Sequence, residues 1–207
     1  EDGIRDKLVT GVQTCALPIF WIGPDAETRK MNWLRQRAER AGAHVNWPVR
    51  ASTSGSAREI DGVKVEVLSP PANWAPTKVS NNDSIVLSLT YGQRKFLLAG
   101  DIESSMERTL AASDASLDSD VLKVAHHGSR TSPTPEFLAR VTPAISVVSV
   151  GAYGRFGHPN REVLNRLQNG HKLVYLTPEV GAISVSSDGN RLEVGTFYDY
   201  TFPWSAR

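Results

Sequence analysis

Two apolar runs in this 207-residue chain end in residues able to hold a metal or move a proton. FLLAGDIE (96–103) leads into Gly100 and the carboxylate of Asp101, and VLKVAHHGS (121–129) leads into His126, His127, Gly128 and Ser129. A carboxylate suits a hard divalent cation and can bridge two of them, while neutral imidazole is the commonest nitrogen ligand for zinc and similar ions. Strand ends are where α/β proteins build sites, because the sheet fixes the side chain and the loops shape the pocket. The glycine beside each group lets the backbone turn tightly. Ordinary structural accounts stand beside these: a Gly-Asp pair often opens a helix, and a His pair is often a surface pair. Lys123, just before the histidines, fits a solvent-facing position.

The elements that must position these residues alternate short β-rich runs with helical periods. FWIG (20–23) is predicted as a strand end, with Asp25 capping a helix over 26–42 that carries Met31, Leu34 and Ala38 at helical spacing and stops at Gly42. AHVNWPVR (43–50) is a second strand candidate. Asp61-Gly62 predicts a hairpin turn before the alternating Val63, Val65 and Val67. SIVLSLTY and RKFLLAG form the next hairpin about Gly92-Gln93, and 102–113 reads as a helix. VLKVA (121–125) is a buried strand, 134–141 a short helix, AISVVSVG (144–151) a strand, and 160–170 a helix capped by Asn160 and closed by Gly170. KLVYLT (172–177) is a strand, and the chain closes on a hairpin turned at Asp188-Gly189. The pattern is α/β with mixed sheets and no internal repeat.

Composition narrows the class. Hydrophobic residues make up 40% and charged residues 22%, which excludes collagen-like, low-complexity and disulfide-rich chains. With 23 Lys+Arg against 22 Asp+Glu the net charge is +1, so bulk electrostatics do not mark a nucleic-acid binder. No apolar run approaches the roughly 20 residues that span a bilayer. VTGVQTCALPI (9–19) reads as a translated sequencing adapter and the preceding eight residues as junction read-through. Residues 1–19 are therefore expected to be non-native, and Cys15 to carry no function.

Four pieces in order, Asn-Asn-x-Ser at 81–84, Leu-x-Gly-Asp-Ile-Glu at 98–103, Lys-Val-x-His-His-Gly-Ser at 123–129 and Gly-His-Pro at 157–159, give the chain a family resemblance. From about Trp21 to Val194 it resembles the C-terminal metallo-β-lactamase-like domain of the bacterial competence protein ComEC. The resemblance implies an αββα sandwich of two mixed sheets over residues 20–207, incomplete at its N-terminus. It implies that Asp101 contacts and bridges metals, and that His127 is the late histidine ligand, with His126 as the runner-up. Because strand side chains alternate between faces, His126 and His127 are expected to hold different roles. Ser129 and Thr131 are expected to meet a phosphate, and His158 to act at the site mouth as a phosphate contact or proton donor. Arg130, Arg155 and Arg161 are consistent with a polyanion, whereas His44 and His171 read as structural.

The implied cofactor is a pair of divalent ions, zinc or manganese, and the implied reaction is phosphodiester hydrolysis on DNA. The implied partners are single-stranded or duplex DNA and a channel region of the same parent in the bacterial cell membrane. The family's early His-x-(His/Asp)-x-Asp-His run is absent from the sequence and would be expected just upstream of Phe20. Asp101 and one histidine are too few for a catalytic zinc, which takes three protein ligands. The chain as written is thus expected to be inactive, not to retain its metals, and to aggregate. Two rival readings are a free-standing hydrolase of a small ester or phosphoester, and a non-catalytic domain that binds DNA or docks partners.

Overall fold

Parallel pairing of two short strands beside a helix makes the first of two units. The computed structural model describes residues 18–20, 29–42, 44–46, 57–73, 80–151, 157–169 and 172–198, and it divides into Glu1–Val49 and Arg50–Arg207. In the first unit β1 (Pro18–Phe20) pairs with β2 (His44–Asn46), Pro18 opposite His44, and α1 spans Arg29–Arg40. β1 starts two residues inside the segment expected to be foreign. Gly42 ends α1 as predicted, at φ +83 with its N–H donating to the Glu39 carbonyl at 2.9 Å. Leu34, one of the residues at helical spacing, is 45% exposed. Asp25, Met31's side chain and the 47–50 end of the second strand candidate lie outside the described residues.

The second unit is built on a seven-stranded mixed sheet. Its strands are β3 (Arg58–Ile60), β4 (Val63–Ser69), β5 (Val86–Tyr91), β6 (Arg94–Leu98), β7 (Val121–Lys123), β8 (Ile145–Val148) and β9 (Leu173–Leu176), in that spatial order. The pairings β3–β4, β4–β5 and β5–β6 are antiparallel, and β6 to β9 run parallel. Positive φ at Asp61 and Gly62 makes the predicted tight turn between β3 and β4. The parallel half needs crossovers, and helices supply them: α2 (Ser104–Ala112), α3 (Pro135–Val141) and α4 (Arg161–Gln168). Thr134 and Asn160 cap the last two, their side chains accepting from Phe137 and Glu162 N–H.

The core lies between this sheet and its helices. Leu97, Leu122 and Val148 from three adjacent strands join Ile102, Phe137, Val163 and Leu167, all at most 1% exposed. Each such side chain contributes about 1.5–3 kcal/mol on burial. Strand β9 stops one residue earlier than predicted, because Thr177 begins a helical turn, α5 (Thr177–Val180), that the sequence did not announce. The closing hairpin is β10 (Ile183–Ser187) with β11 (Leu192–Thr196), a separate two-stranded sheet. Among the described residues no helix is long and apolar enough to cross a membrane.

Candidate functional site

The parallel strands β6, β7 and β8 all point their carboxyl ends the same way, and the loops leaving them carry the polar residues of interest. After β6 the chain turns at Gly100 with φ +58; a Cβ there would lie 2.9 Å from the Ile85 carbonyl, so both conformation and space require glycine. That turn presents Asp101 with its side chain 48% exposed. After β7 the His126 N–H donates to the Gly100 carbonyl at 3.1 Å, tying the second loop to the first. The third loop joins through the Asn160 N–H, which donates to the Gly128 carbonyl at 2.8 Å. Three segments far apart in sequence are thereby fixed as one surface.

The histidine geometry corrects the expectation of alternating faces. Strand β7 ends at Lys123, and His126 (φ 44) and His127 (φ 56) both lie in the left-handed region, where pleat alternation does not apply. Their rings sit 6.4 Å apart, and the His126 ring is 5.6 Å from that of His158. All three histidines therefore gather in one place. Holding two consecutive non-glycine residues left-handed costs about 1–2 kcal/mol each, a strain that functional sites commonly hold.

The His127 tautomer follows from its contacts. Nδ1 is 2.6 Å from the Ser149 carbonyl oxygen, an acceptor only, so Nδ1 carries the proton and donates. In the neutral ring Nε2 then carries the lone pair, and it lies 3.7 Å from Asp101 Oδ1. A backbone carbonyl orienting one ring nitrogen is the usual support of a metal-binding histidine. Two donors each about 2.1 Å from one cation are separated by roughly 3–4 Å, so Asp101 and His127 fit two positions of a cation site. The fit stops there: among the described residues no group of three His, Cys, Asp or Glu could hold a metal ion.

Glu103 is a site residue that the sequence reading passed over. Its Oε1 is 3.3 Å from His126 Nδ1, although that nitrogen is buried without an aligned hydrogen bond. Asn81 Nδ2 donates to the same Oε1 at 3.2 Å, and the Glu103 N–H donates to Asn82 Oδ1 at 2.9 Å. The signal was available: Glu103 closes the Gly-Asp-Ile-Glu piece, and the Asn pair opens the preceding hairpin.

Lys123 is the second correction. It is half-buried, its ammonium donates to the Val124 carbonyl at 2.9 Å, and burial pushes its pKa down against the opposing pull of the Asp101 carboxylate. It faces the site rather than solvent. The His158 pKa is also lowered, first by burial and then by the charges of His126 and His127. Ser129 is buried with its hydroxyl 3.2 Å from that of Thr131, and its N–H donates to the His126 carbonyl at 3.0 Å. Arg130 and Arg161 are exposed. Cys15, Arg155, Gly170 and His171 lie outside the described residues, as does the side chain of His44.

No protein-family model matches the chain. It is similar to several curated proteins, among them three with competence or recombination names. It is 36% identical to ComE operon protein 3 of Bacillus subtilis over 70% of this chain and 18% of that protein. It is 31% identical to recombination protein 2 of Haemophilus influenzae over 75% of this chain and 19% of that protein. It is 32% identical to competence protein ComA of Neisseria gonorrhoeae over 71% of this chain and 21% of that protein. The chain thus spans about a fifth of the length of the relatives it matches.

Proposed function

On the premise that these relatives support a competence-protein family, we propose that this chain is part of a protein acting in DNA uptake during natural transformation. Within that protein it is a metallo-β-lactamase-like module that hydrolyses phosphodiesters of DNA. The parent lies in the bacterial cell membrane, and its channel region is the partner of this module. The observation that carries the reading is the convergence of Asp101, His126, His127 and His158 on the carboxyl ends of parallel strands, with His127 Nε2 turned toward the Asp101 carboxylate. The α/β fold with a mixed sheet is consistent with it.

In the intact protein Asp101 and His127 would be two of the residues holding divalent ions, zinc or manganese, with further ligands supplied by other residues. Such ions lower the pKa of bound water and polarise a phosphate. What this chain's own groups do can be stated separately. Ser129 and Thr131 donate hydrogen bonds to phosphate oxygens. His158, 5.6 Å ring to ring from His126, contacts the phosphate or donates a proton to the leaving oxygen. Lys123 interacts electrostatically with the Asp101 carboxylate from a half-buried position.

The test uses the intact protein that carries this segment. Asp101→Ala is expected to abolish cleavage of an end-labelled oligonucleotide in the presence of zinc or manganese while circular dichroism stays unchanged. Cleavage at the parent rate would overturn the hydrolase reading and leave a non-catalytic DNA-binding role.

A further inference from the structure

One buried carboxyl group in the second unit has no part in the chemistry above. Glu107, on α2, is 0% exposed, and its carboxylate accepts from two residues of the loop that follows His-His-Gly-Ser. The Ser132 hydroxyl donates to Oε1, and the Thr134 N–H donates to Oε2 at 2.6 Å. Between them the Pro133 carbonyl accepts from the Arg166 guanidinium on α4. Three consecutive loop residues are thus each held by a side chain from a flanking helix.

The bonds continue toward the site. The Ser132 N–H donates to the Ser129 carbonyl at 2.9 Å, the Ser129 N–H to the His126 carbonyl at 3.0 Å, and the His126 N–H to the Gly100 carbonyl at 3.1 Å. An unbroken chain therefore runs from Glu107 to the turn that presents Asp101. Packing alone does not call for a carboxylate here, since burying one is costly and an apolar residue would fill the space more cheaply. Burial raises the Glu107 pKa, against the Ser132 and Thr134 hydrogen bonds and the more distant charge of Arg166.

We propose that Glu107 is a positioning residue: it locks the 129–134 loop so that the Ser129 and Thr131 hydroxyls keep one orientation at the site. The phosphate that those hydroxyls would meet rests on the function proposed above; the locking does not.

The test compares this chain with Glu107→Ala and Glu107→Gln by residue-resolved amide hydrogen exchange and by titration with inorganic phosphate. Glutamine can keep both bonds, its carbonyl accepting from Thr134 N–H and its amide donating to the Ser132 oxygen, because a hydroxyl both donates and accepts. In the alanine variant the Ser129, Ser132 and Thr134 amides are expected to exchange at least tenfold faster, with the Val124 amide, bonded to the Val147 carbonyl at 2.9 Å, within twofold of the parent. The glutamine variant is expected to restore the loop rates to within threefold. Uniform acceleration that glutamine fails to rescue would make Glu107 a general fold residue and overturn the proposal, as would loop rates unmoved by alanine. Local acceleration with rescue, but with no phosphate-induced shift at Ser129 or Thr131 in any variant, would support the positioning role and count against the phosphodiester reading.

Discussion

The two ends of β6 and β7 treat charge in opposite ways. At the amino ends, Asp120 accepts from the Arg94 guanidinium at 3.0 Å and from the Lys95 N–H at 2.8 Å, and Lys95 Nζ is 2.7 Å from Asp118. Arg94 also donates to the Asn190 carbonyl at 2.5 Å, and Gln93 N–H to the Gly189 carbonyl at 2.6 Å, so the two hairpin turns close on each other. Every charged group named there has an opposite charge or a backbone partner. At the carboxyl ends two carboxylates, Asp101 and Glu103, and three imidazoles gather instead, with two residues in strained backbone and one ring nitrogen buried without an aligned bond. One end has its charges paired, and the other holds strained backbone and a buried ring nitrogen without an aligned partner, the pattern that the proposed site calls for.

The largest effect is expected at the closed end. A Cβ on Gly92, which sits at φ +56, would lie 2.4 Å from the Gly189 carbonyl oxygen, so backbone must move. Gly92→Ala is expected to cost about 3 kcal/mol in urea denaturation, combining left-handed strain with the clash. A loss under about 1 kcal/mol would show that the two turns do not bear on each other. Asp120→Ala comes next, at about 2 kcal/mol, because it leaves the Lys95 N–H and the Arg94 guanidinium without their shared acceptor. Neither change should move the histidine ring resonances. If either does, the two ends are coupled and the contrast fails.

The site end is expected to respond with the opposite sign. His127→Gly relieves a φ of 56 at a side chain 47% exposed, at the loss of one hydrogen bond to Ser149. Stability is expected to stay level or rise by about 1 kcal/mol, as it does where function holds residues in strain. A loss of about 2 kcal/mol or more in the same denaturation would place His127 among the structural residues.

Much of this was legible from the residues. The Asp61-Gly62 turn, the Asn160 cap and the stop at Gly42 follow from local rules that tertiary packing did not override. Asp101 was legible because an apolar run, a glycine and a carboxylate form one local signal. The gathering of the histidines was not, since His158 lies some thirty residues beyond His126 and the two meet only through the fold. The error over His126 and His127 had a specific source: the β period was carried past Lys123, although nothing in VLKVAHH marks where the pleat ends and left-handed backbone begins. The short α5 escaped because four residues opening on Thr-Pro give no helical period. The meeting of Gly92 with Gly189 is a contact between two correctly read turns, and turn chemistry says nothing about what a turn will touch.

The smallest expected effect tests the contrast through pH. Burial raises the Glu107 pKa above its ordinary 4.5, so the folded state takes up that proton more readily than the unfolded chain does. Its contribution is fully present below pH 4.5, and it is lost as pH rises through the folded pKa. Asp118 runs the other way: hydrogen bonds from Lys95 and Ser116 lower its pKa below the ordinary 3.8. Its contribution is present above pH 3.8 and is lost as pH falls through the folded pKa, and at 61% exposure solvent screening keeps it small. Glu107→Gln should therefore flatten the fall in stability on the alkaline side of pH 4.5, and Asp118→Asn should flatten the loss on the acid side of pH 3.8. Urea midpoints at intervals from pH 2.5 to 7, roughly the carboxylate range, measure both slopes. Should Glu107→Gln change the acid slope instead, its carboxylate would be stabilised by its partners more than it is penalised by burial. The support beneath the site would then resemble the closed end, where charge is satisfied.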